Sequence, residues 1–231
     1  MKALVIGGTS NLGKSIVGDL IKDNYEVIFT YSNNKTAANL LDEKYDTTSY
    51  KVDIRDEADV ISLFNHISGI DLLVIVSGLF SVSPQSELEI TDFDKVIDLN
   101  IKGTFLVIKH AINKMKESSS IVLVSSTNAF HPGFGNTAHY DASKGFIVSY
   151  TKSLASELAP KKIRVNSVAP GLIEAEYLHN KDNPVLNMFL ERALIKETVK
   201  AHDVSSTVSF LANNKAIDGQ TIIIDCGYLN G

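Results

Sequence analysis

The chain is poor in cysteine. Cys226 is the only one in 231 residues, which excludes an intrachain disulfide and a cysteine-based zinc site. Its six histidines, at 66, 110, 131, 139, 179 and 202, show no metal-ligand spacing, so surface or locally bonded imidazoles are expected and no metal site. Long apolar runs are missing too. Residues 121–124 and 222–224 are strand-sized, far short of the ~20 residues a membrane span needs. The opening Met1-Lys2-Ala3-Leu4 leads straight into an apolar run, without the h-region and cleavage site of a signal peptide. No basic tract stands out against a net charge of −5, so a nucleic-acid partner has no electrostatic support. A cytoplasmic protein without membrane or nucleic-acid partners is the expectation. No linker, repeat or low-complexity stretch interrupts the chain, and 44% hydrophobic residues suffice for a sizeable core, so residues 1–231 read as one domain.

What is present alternates regularly. Ala3-Leu4-Val5-Ile6 is an apolar run of strand length, followed by Gly7-Gly8-Thr9-Ser10-Asn11-Leu12-Gly13. Leu12, Ile16, Val17, Leu20 and Ile21 then recur at helical spacing. Strand, glycine turn and helix form the context of a dinucleotide-binding fingerprint. Glycine lets the backbone approach a pyrophosphate, and the helix N-terminus offers free N–H groups and a positive dipole end. An ordinary strand-to-helix turn is the plainer alternative. Further strands are expected at 25–30, 49–52, 71–76, 121–124, 162–168 and 220–225, with helices at 34–44, 58–67, 92–116, 140–157 and 202–212. Such alternation predicts an α/β fold: a Rossmann-type, doubly wound, parallel seven-stranded sheet with helices on both faces. Cofactors in such sheets lie beyond the carboxyl ends of the strands. Gly7 to Gly13, Asp53-Ile54 and Ser77-Gly78 all fall there.

An acid about 20 residues beyond the glycine turn would bond the ribose 2′-hydroxyl of NAD. The residues at that point are Thr30, Tyr31, Ser32, Asn33, Asn34 and Lys35. None is acidic. Ser32 and Asn33 can donate hydrogen bonds to a 2′-phosphate and Lys35 adds charge, which favours NADP(H) over NAD(H). No arginine is present there for a bidentate clamp, and Ser-Asn-Asn is also a good turn and helix cap.

The later chain carries the chemistry. In Tyr140-Asp141-Ala142-Ser143-Lys144, Tyr140 and Lys144 stand four apart and share a helix face. A phenol ordinarily deprotonates near pH 10; an adjacent ammonium favours the phenolate, so such a pair can trade a proton nearer neutrality. That suits reduction of a carbonyl or oxidation of an alcohol. Two residues on a solvated face would look the same. Asn100 lies in the apolar stretch Leu99-Asn100-Ile101-Lys102-Gly103-Thr104-Phe105, where a buried amide must find partners; local backbone is one source. Ser125-Ser126-Thr127 closes the fifth strand with hydroxyls able to hold a substrate oxygen or simply to cap. Ala169-Pro170-Gly171 ends the sixth strand sharply. Residues 172–200 sit where a substrate lid would be, and Leu172, Ile173, Tyr177, Leu178, Met188 and Phe189 would line it; a surface helix pair with an apolar underside fits equally.

Together these residues resemble the short-chain dehydrogenase/reductase family, and within it the 3-oxoacyl-[acyl-carrier-protein] reductases. The resemblance covers nearly the whole chain. The Tyr-x-x-x-Lys pattern falls on Tyr140 and Lys144, the preceding serine on Ser126 (or Thr127 in another register), the mid-helix asparagine on Asn100, the Pro-Gly pair on Pro170-Gly171, and the late Gly-Gln, strand and Asp on 219–225. The resemblance implies that Tyr140 protonates the carbonyl oxygen, Lys144 lowers its pKa and holds ribose hydroxyls, Ser126 orients the substrate and Asn100 anchors a water. It implies cofactor contacts from Gly7, Thr9, Ser10, Asn11, Leu12, Gly13, Tyr31, Ser32, Asn33, Asp53, Ile54, Ser77, Gly78, Tyr140, Lys144, Pro170, Gly171 and Ile173. It implies a homo-oligomer, tetramer or dimer, acting on a small carbonyl or alcohol. A sugar or polyol dehydrogenase using NAD shares these residues, and so does a nucleotide-binding regulator that has lost efficient catalysis. The chain also departs from the pattern. Ile6 replaces a Thr, Asn11 the middle glycine (a residue that tolerates left-handed backbone), Ile75-Val76-Ser77-Gly78 an Asn-Asn-Ala-Gly, Ala175 a Thr, and Cys226-Gly227 a glycine pair.

Overall fold

A computed structural model describes residues 1–133, 135–178 and 183–231, with no statement on the Tyr177 side chain. Phe134 and residues 179–182, which include His179 and part of the expected lid, lie outside the described residues. Seven parallel strands form one sheet in the order β3-β2-β1-β4-β5-β6-β7. They are β1 (Lys2–Ile6), β2 (Glu26–Tyr31), β3 (Thr48–Lys51), β4 (Ile70–Ile75), β5 (Met115–Val124), β6 (Arg164–Pro170) and β7 (Thr221–Ile224). The helices are α1 (Asn11–Lys22), α2 (Lys35–Tyr45), α3 (Glu57–His66), α4 (Ile90–Ile97), α5 (Thr104–Ala111), α6 (Ala138–Leu158), α7 (Pro184–Arg192) and α8 (Ala201–Asn213).

Alternate side chains of the central strands feed opposite layers, as the two-residue period of a strand requires. Leu4, Ile6, Leu73, Ile75, Ile121 and Leu123 pack with α3, α5 and α6. Ala3, Val5, Leu72, Val74 and Val122 pack with α1, α2 and α8. Both faces of the sheet are therefore covered, and the central strands read as continuous apolar runs. Strand order reverses between β1 and β4, so the crevice for a ligand opens there.

α1 begins because Ser10 caps it: its hydroxyl accepts from the Gly13 N–H at 3.0 Å. Asn34 and Asp56 do the same for α2 and α3. Asn11 is the first residue of α1, not a left-handed turn residue. Only glycine among the turn residues has positive φ there, at Gly7 (91°).

Two expectations are corrected and one is met. The helical region expected over 92–116 is broken: residues Asp98–Gly103 form a π turn between α4 and α5, and the helix gives way to β5 at Met115. Pairing of Met115 with Ile70 overrides the helical composition of the Lys-rich segment. The break contains Asn100. β6 ends at Pro170, its last paired residue, opposite Ile224, where the missing N–H costs nothing. Among the described residues of 172–200 there is no helix pair: they hold a turn at Glu176–Leu178, α7, and a bent stretch whose Val199 bridges Ile173. Among the described residues no helix is long and apolar enough to cross a membrane.

Candidate active site

Tyr140 and Lys144 lie in the first turns of α6, where the helix passes the carboxyl ends of β4 and β5. Two cavities meet at Tyr140. A cleft of 590 Å³ is bordered by Ser10, Asn11 and Leu12 of the glycine turn, by Gly78, by Lys144, and by Pro170, Gly171 and Ile173. A chamber of 470 Å³ is bordered by Val82, Leu172, Val185, Phe189 and Tyr228. Ser126, Tyr140, Phe80, Gly171 and Ile173 belong to both. A larger depression of 660 Å³, between α1 and α8, contains none of these residues.

The cleft fits a dinucleotide on two observations. A Cβ on Gly7 would stand 2.6 Å from Ser77 Oγ, and one on Gly13 would collide with the Gly7 carbonyl. The turn is thus closed onto the start of α1, where unpaired N–H groups gather. Ser10 Oγ donates to the Gly7 carbonyl at 3.0 Å, which fixes the turn further. Asn11 adds a contact no spacing revealed: its Nδ2 donates to the Glu174 carbonyl at 2.9 Å. Glu174 N–H in turn donates to the Val199 carbonyl at 2.8 Å. The glycine turn is thereby clipped to the segment after β6.

Other expected cofactor residues stand away from this cleft. Tyr31 ends β2, and Ser32 and Asn33 are exposed just beyond it. No carboxylate stands among them. Asp53 is held by Arg55, whose Nε and Nη2 donate to it at 2.9 and 2.6 Å; those bonds keep the Asp53 carboxyl below its usual range despite some burial. Ile54 turns its side chain into the core against Gly103. Ser77 packs on Gly7, and Val76 rather than a polar residue borders the cleft. Thr9 is half-buried beside the turn.

At the junction, Lys144 is buried and its Nζ donates to the Val124 carbonyl at 3.0 Å. That nitrogen lies 5.8 Å from the centre of the Tyr140 ring. A Cβ at Gly78 would stand 3.1 Å from Lys144 Nζ and 3.5 Å from Asn100 Oδ1, so only glycine leaves this corner open. Asn100 satisfies its amide fully. Its Oδ1 accepts from the Leu79 N–H at 2.7 Å, and its Nδ2 donates to the Leu79 carbonyl at 3.0 Å and to Ser143 Oγ at 2.9 Å. One side chain therefore ties the loop after β4 to the π turn and α6.

The expected electrostatic coupling is corrected here. Burial pushes the Tyr140 phenol up to about 12, with the Ser126 hydroxyl pulling it partly back and Asp141 adding to the rise. Burial also brings Lys144 down to about 8. Burial governs both groups, and neither figures in the shift of the other. The chain alone holds Tyr140 protonated and makes Lys144 a stronger acid, titrating nearer neutrality than an exposed lysine.

Ser126, rather than Thr127, is the hydroxyl that reaches the phenol; Thr127 is buried and borders only the chamber. Ser126 is itself positioned by Asn128. The Asn128 N–H donates to Ser126 Oγ at 3.2 Å, and Ser126 Oγ donates to Asn128 Oδ1 at 3.3 Å. Asn128 Nδ2 donates to Asp141 Oδ1 at 2.6 Å, and Thr137 Oγ1 donates to Asp141 Oδ2 at 3.0 Å. Sequence reasoning missed Asn128 and Phe80, whose ring meets Tyr140 edge-on at 4.9 Å. It also missed Tyr228. The late Asp was the available signal: Asp225 accepts from the Gly227 and Leu229 N–H groups. With Cys226 and Gly227 both left-handed (φ 54° and 79°), that turn delivers Tyr228 to the chamber.

The chain is similar to known proteins over nearly its whole length. A family model described as enoyl-(acyl carrier protein) reductase matches residues 7–229. The chain belongs to the short-chain dehydrogenase/reductase family, NAD(P)-dependent oxidoreductases. A 3-oxoacyl-[acyl-carrier-protein] reductase of Rickettsia prowazekii is 33% identical over 98% of this chain and 96% of its own. A hydroxynaphthalene reductase-like protein of Metarhizium guizhouense is 30% identical over 97% and 93%. Among solved structures, a short-chain dehydrogenase from Burkholderia cenocepacia in complex with NADP superposes with a TM-score of 0.93 at 26% identity, covering 98% of this chain and 97% of that one.

Proposed function

We propose that the protein reduces a ketone to a secondary alcohol with NADPH, Tyr140 giving the proton. The observation that carries this is the Tyr140 phenol at the meeting point of a glycine-walled cleft and an apolar chamber. Bound in the cleft, the dihydronicotinamide supplies the hydride. Ser126 and Tyr140 hold the carbonyl oxygen, and the high phenol pKa keeps the proton in place until negative charge develops on that oxygen. Lys144, on the cleft side, faces the ribose hydroxyls and stabilises the phenolate left behind. Asn100 holds Leu79 and α6 in register around the Lys144 corner. Ser32, Asn33 and Lys35, with no free carboxylate beside them, support NADP over NAD.

The test is oxidation of NADPH and of NADH in the presence of ketones. Turnover with NADPH at kcat/KM at least ~10-fold above NADH is expected, the scale of one charge-assisted contact. Preference for NADH overturns the cofactor assignment. Val76 in place of a polar residue beside the cleft favours one rival, a nucleotide-binding protein with weak catalysis; tight NADPH binding without turnover of any carbonyl would select it. Membership of the family supports a homo-oligomer, which light scattering checks.

A further inference from the structure

The composition of the chamber narrows what can enter it. Its far wall is flat and fixed. Phe189 is 1% exposed and stacks on Tyr228 with ring centres 5.0 Å apart and planes 8° from parallel. Gly171 lets it come close: a Cβ there would stand 2.9 Å from the Phe189 ring. Tyr228 is held from behind, where Arg192 Nε donates to its carbonyl at 2.8 Å and the guanidinium lies 5.2 Å over its ring. Val185, Leu172 and Ile173 complete the interior, and Phe80 and Val82 form a rim that is half exposed.

Apart from the Tyr228 hydroxyl, the polar side chains stand at one end. Ser126, Thr127, Asn128 and Tyr140 gather at the junction with the cleft, and the Asn128 amide is already committed to Asp141 and Ser126. None of the described lining residues is charged. The bordering described segments 79–87 and 183–192 contain one cation, Arg192, and it is engaged with Tyr228. A keto acid would therefore enter without a counter-ion. A ketose would bury several hydroxyls without partners, which disfavours it strongly. An acyl group on a phosphate-bearing carrier arm would find no free cation at the rim among the described residues. An apolar, flat molecule bearing one carbonyl meets all the surfaces present: oxygen on Ser126 and Tyr140, body against the aromatic wall.

Resting on the reductase reading above, we propose that the natural substrate class is uncharged ketones with an apolar ring body, seated against Phe189 and Tyr228. The volume of 470 Å³ lies within the ~300–1,000 Å³ of small-molecule sites and accommodates a bicyclic ring system.

The experiment compares kcat/KM with NADPH for 1-tetralone, the N-acetylcysteamine thioester of acetoacetate, pyruvate and fructose, on the full chain. 1-Tetralone is expected to exceed each of the others by at least ~10-fold, the discrimination a well-matched apolar pocket achieves. Equal or better turnover of the thioester, pyruvate or fructose overturns the proposal and leaves the reductase reading standing. A second measurement separates the two. Val82→Lys puts a cation on the exposed rim, where folding is not at stake; it should lower kcat/KM for 1-tetralone and raise it for pyruvate, moving their ratio by ~10-fold or more. An unchanged ratio overturns the placement in this chamber. Thermal stabilisation by 1-tetralone is also read in the Tyr140→Phe protein loaded with NADPH. Binding there that Val82→Lys (in the same background) removes, with no turnover by the wild type, sustains the ligand class and sinks the reductase reading. Absence of both binding and turnover of 1-tetralone sinks the proposal itself.

Discussion

The two cavities that meet at Tyr140 are made of different material. The cleft is walled by the start of α1 and by the segments that follow β4, β5 and β6, where Gly78 and Gly171 keep room that a side chain would take. The chamber is side chains: Phe189 on Tyr228, with Val185, Leu172 and Val82 around them. A helix start and glycine corners serve what all members of a family share, since N–H groups are the same in every sequence. A site of side chains can be rebuilt residue by residue. The same molecule thus separates what it must hold from what it selects, with the proton donor on the line between them.

Substitutions that respect or cross that line should separate the two functions. The largest effect is expected at the boundary. Tyr140→Phe should lower ketone turnover by ~10²-fold or more, the scale of general acid catalysis, and leave the NADPH dissociation constant within about threefold; near-normal turnover would remove Tyr140 from the chemistry. Next is Gly13→Ala in the glycine turn beside the cleft. The added Cβ collides with the Gly7 carbonyl, so ~1–3 kcal/mol of stability should be lost to overpacking, a drop of roughly 2–12 °C in melting temperature, together with NADPH affinity. Val185→Ala in the chamber should leave NADPH affinity unchanged while altering preference among ketones. If it weakens NADPH as Gly13→Ala does, the two regions are not separable.

Smaller effects sharpen the boundary itself. Lys144 falls to about 8 in the folded protein, against about 10.4 in an unfolded chain. The unfolded state then binds more protons between about pH 8 and 10.4, so the Lys144 contribution to stability rises with pH across that window and is flat below it. Tyr140, pushed up to about 12, acts oppositely: the folded state keeps its proton longer, so its contribution falls from about pH 10 upward. Denaturation of wild type and Lys144→Met as a function of pH should diverge upward in favour of wild type between about pH 8 and 10; parallel curves would mean Lys144 is not desolvated. The smallest effect is expected for Asn11→Ala. It removes the bond to the Glu174 carbonyl at a cost of ~0.5–1.5 kcal/mol and should loosen the segment after β6, seen as faster amide exchange at Glu174 and Val199.

The sheet was legible because its central strands are buried on both faces: an uninterrupted run such as Ala3-Leu4-Val5-Ile6 has few other uses. The glycine turn was legible because Gly7 and Gly13 each answer a steric demand. What escaped was set by distance along the chain. The role of Asn11 depends on a carbonyl 163 residues away. The Tyr140–Lys144 spacing was readable, but the desolvation that governs both groups comes from everything packed around them. Composition favoured helix through Lys116, whereas pairing with Ile70 decided for strand. Phe80 and Tyr228 enter the chamber from loops whose course no periodicity describes, and the Asn128–Asp141 bond that steadies Ser126 crosses such a loop.

The π turn at Asp98–Gly103 carries one residue more than an α-helical turn would need. One extra residue rotates everything after it by about 100°, so α4 and α5 run on from one another while obeying different phases. The chain here is out of step with itself by design of the break, and Asn100 sits in the slack. Deleting a single residue within 98–103 would therefore do more than shorten a helix. It would let α4 and α5 fuse into one regular α-helix with all its backbone bonds made, while turning Leu106, Val107 and Ala111 off the sheet or Asn100 off Ser143. Length polymorphism, harmless in most surface helices, is here equivalent to a frameshift in space.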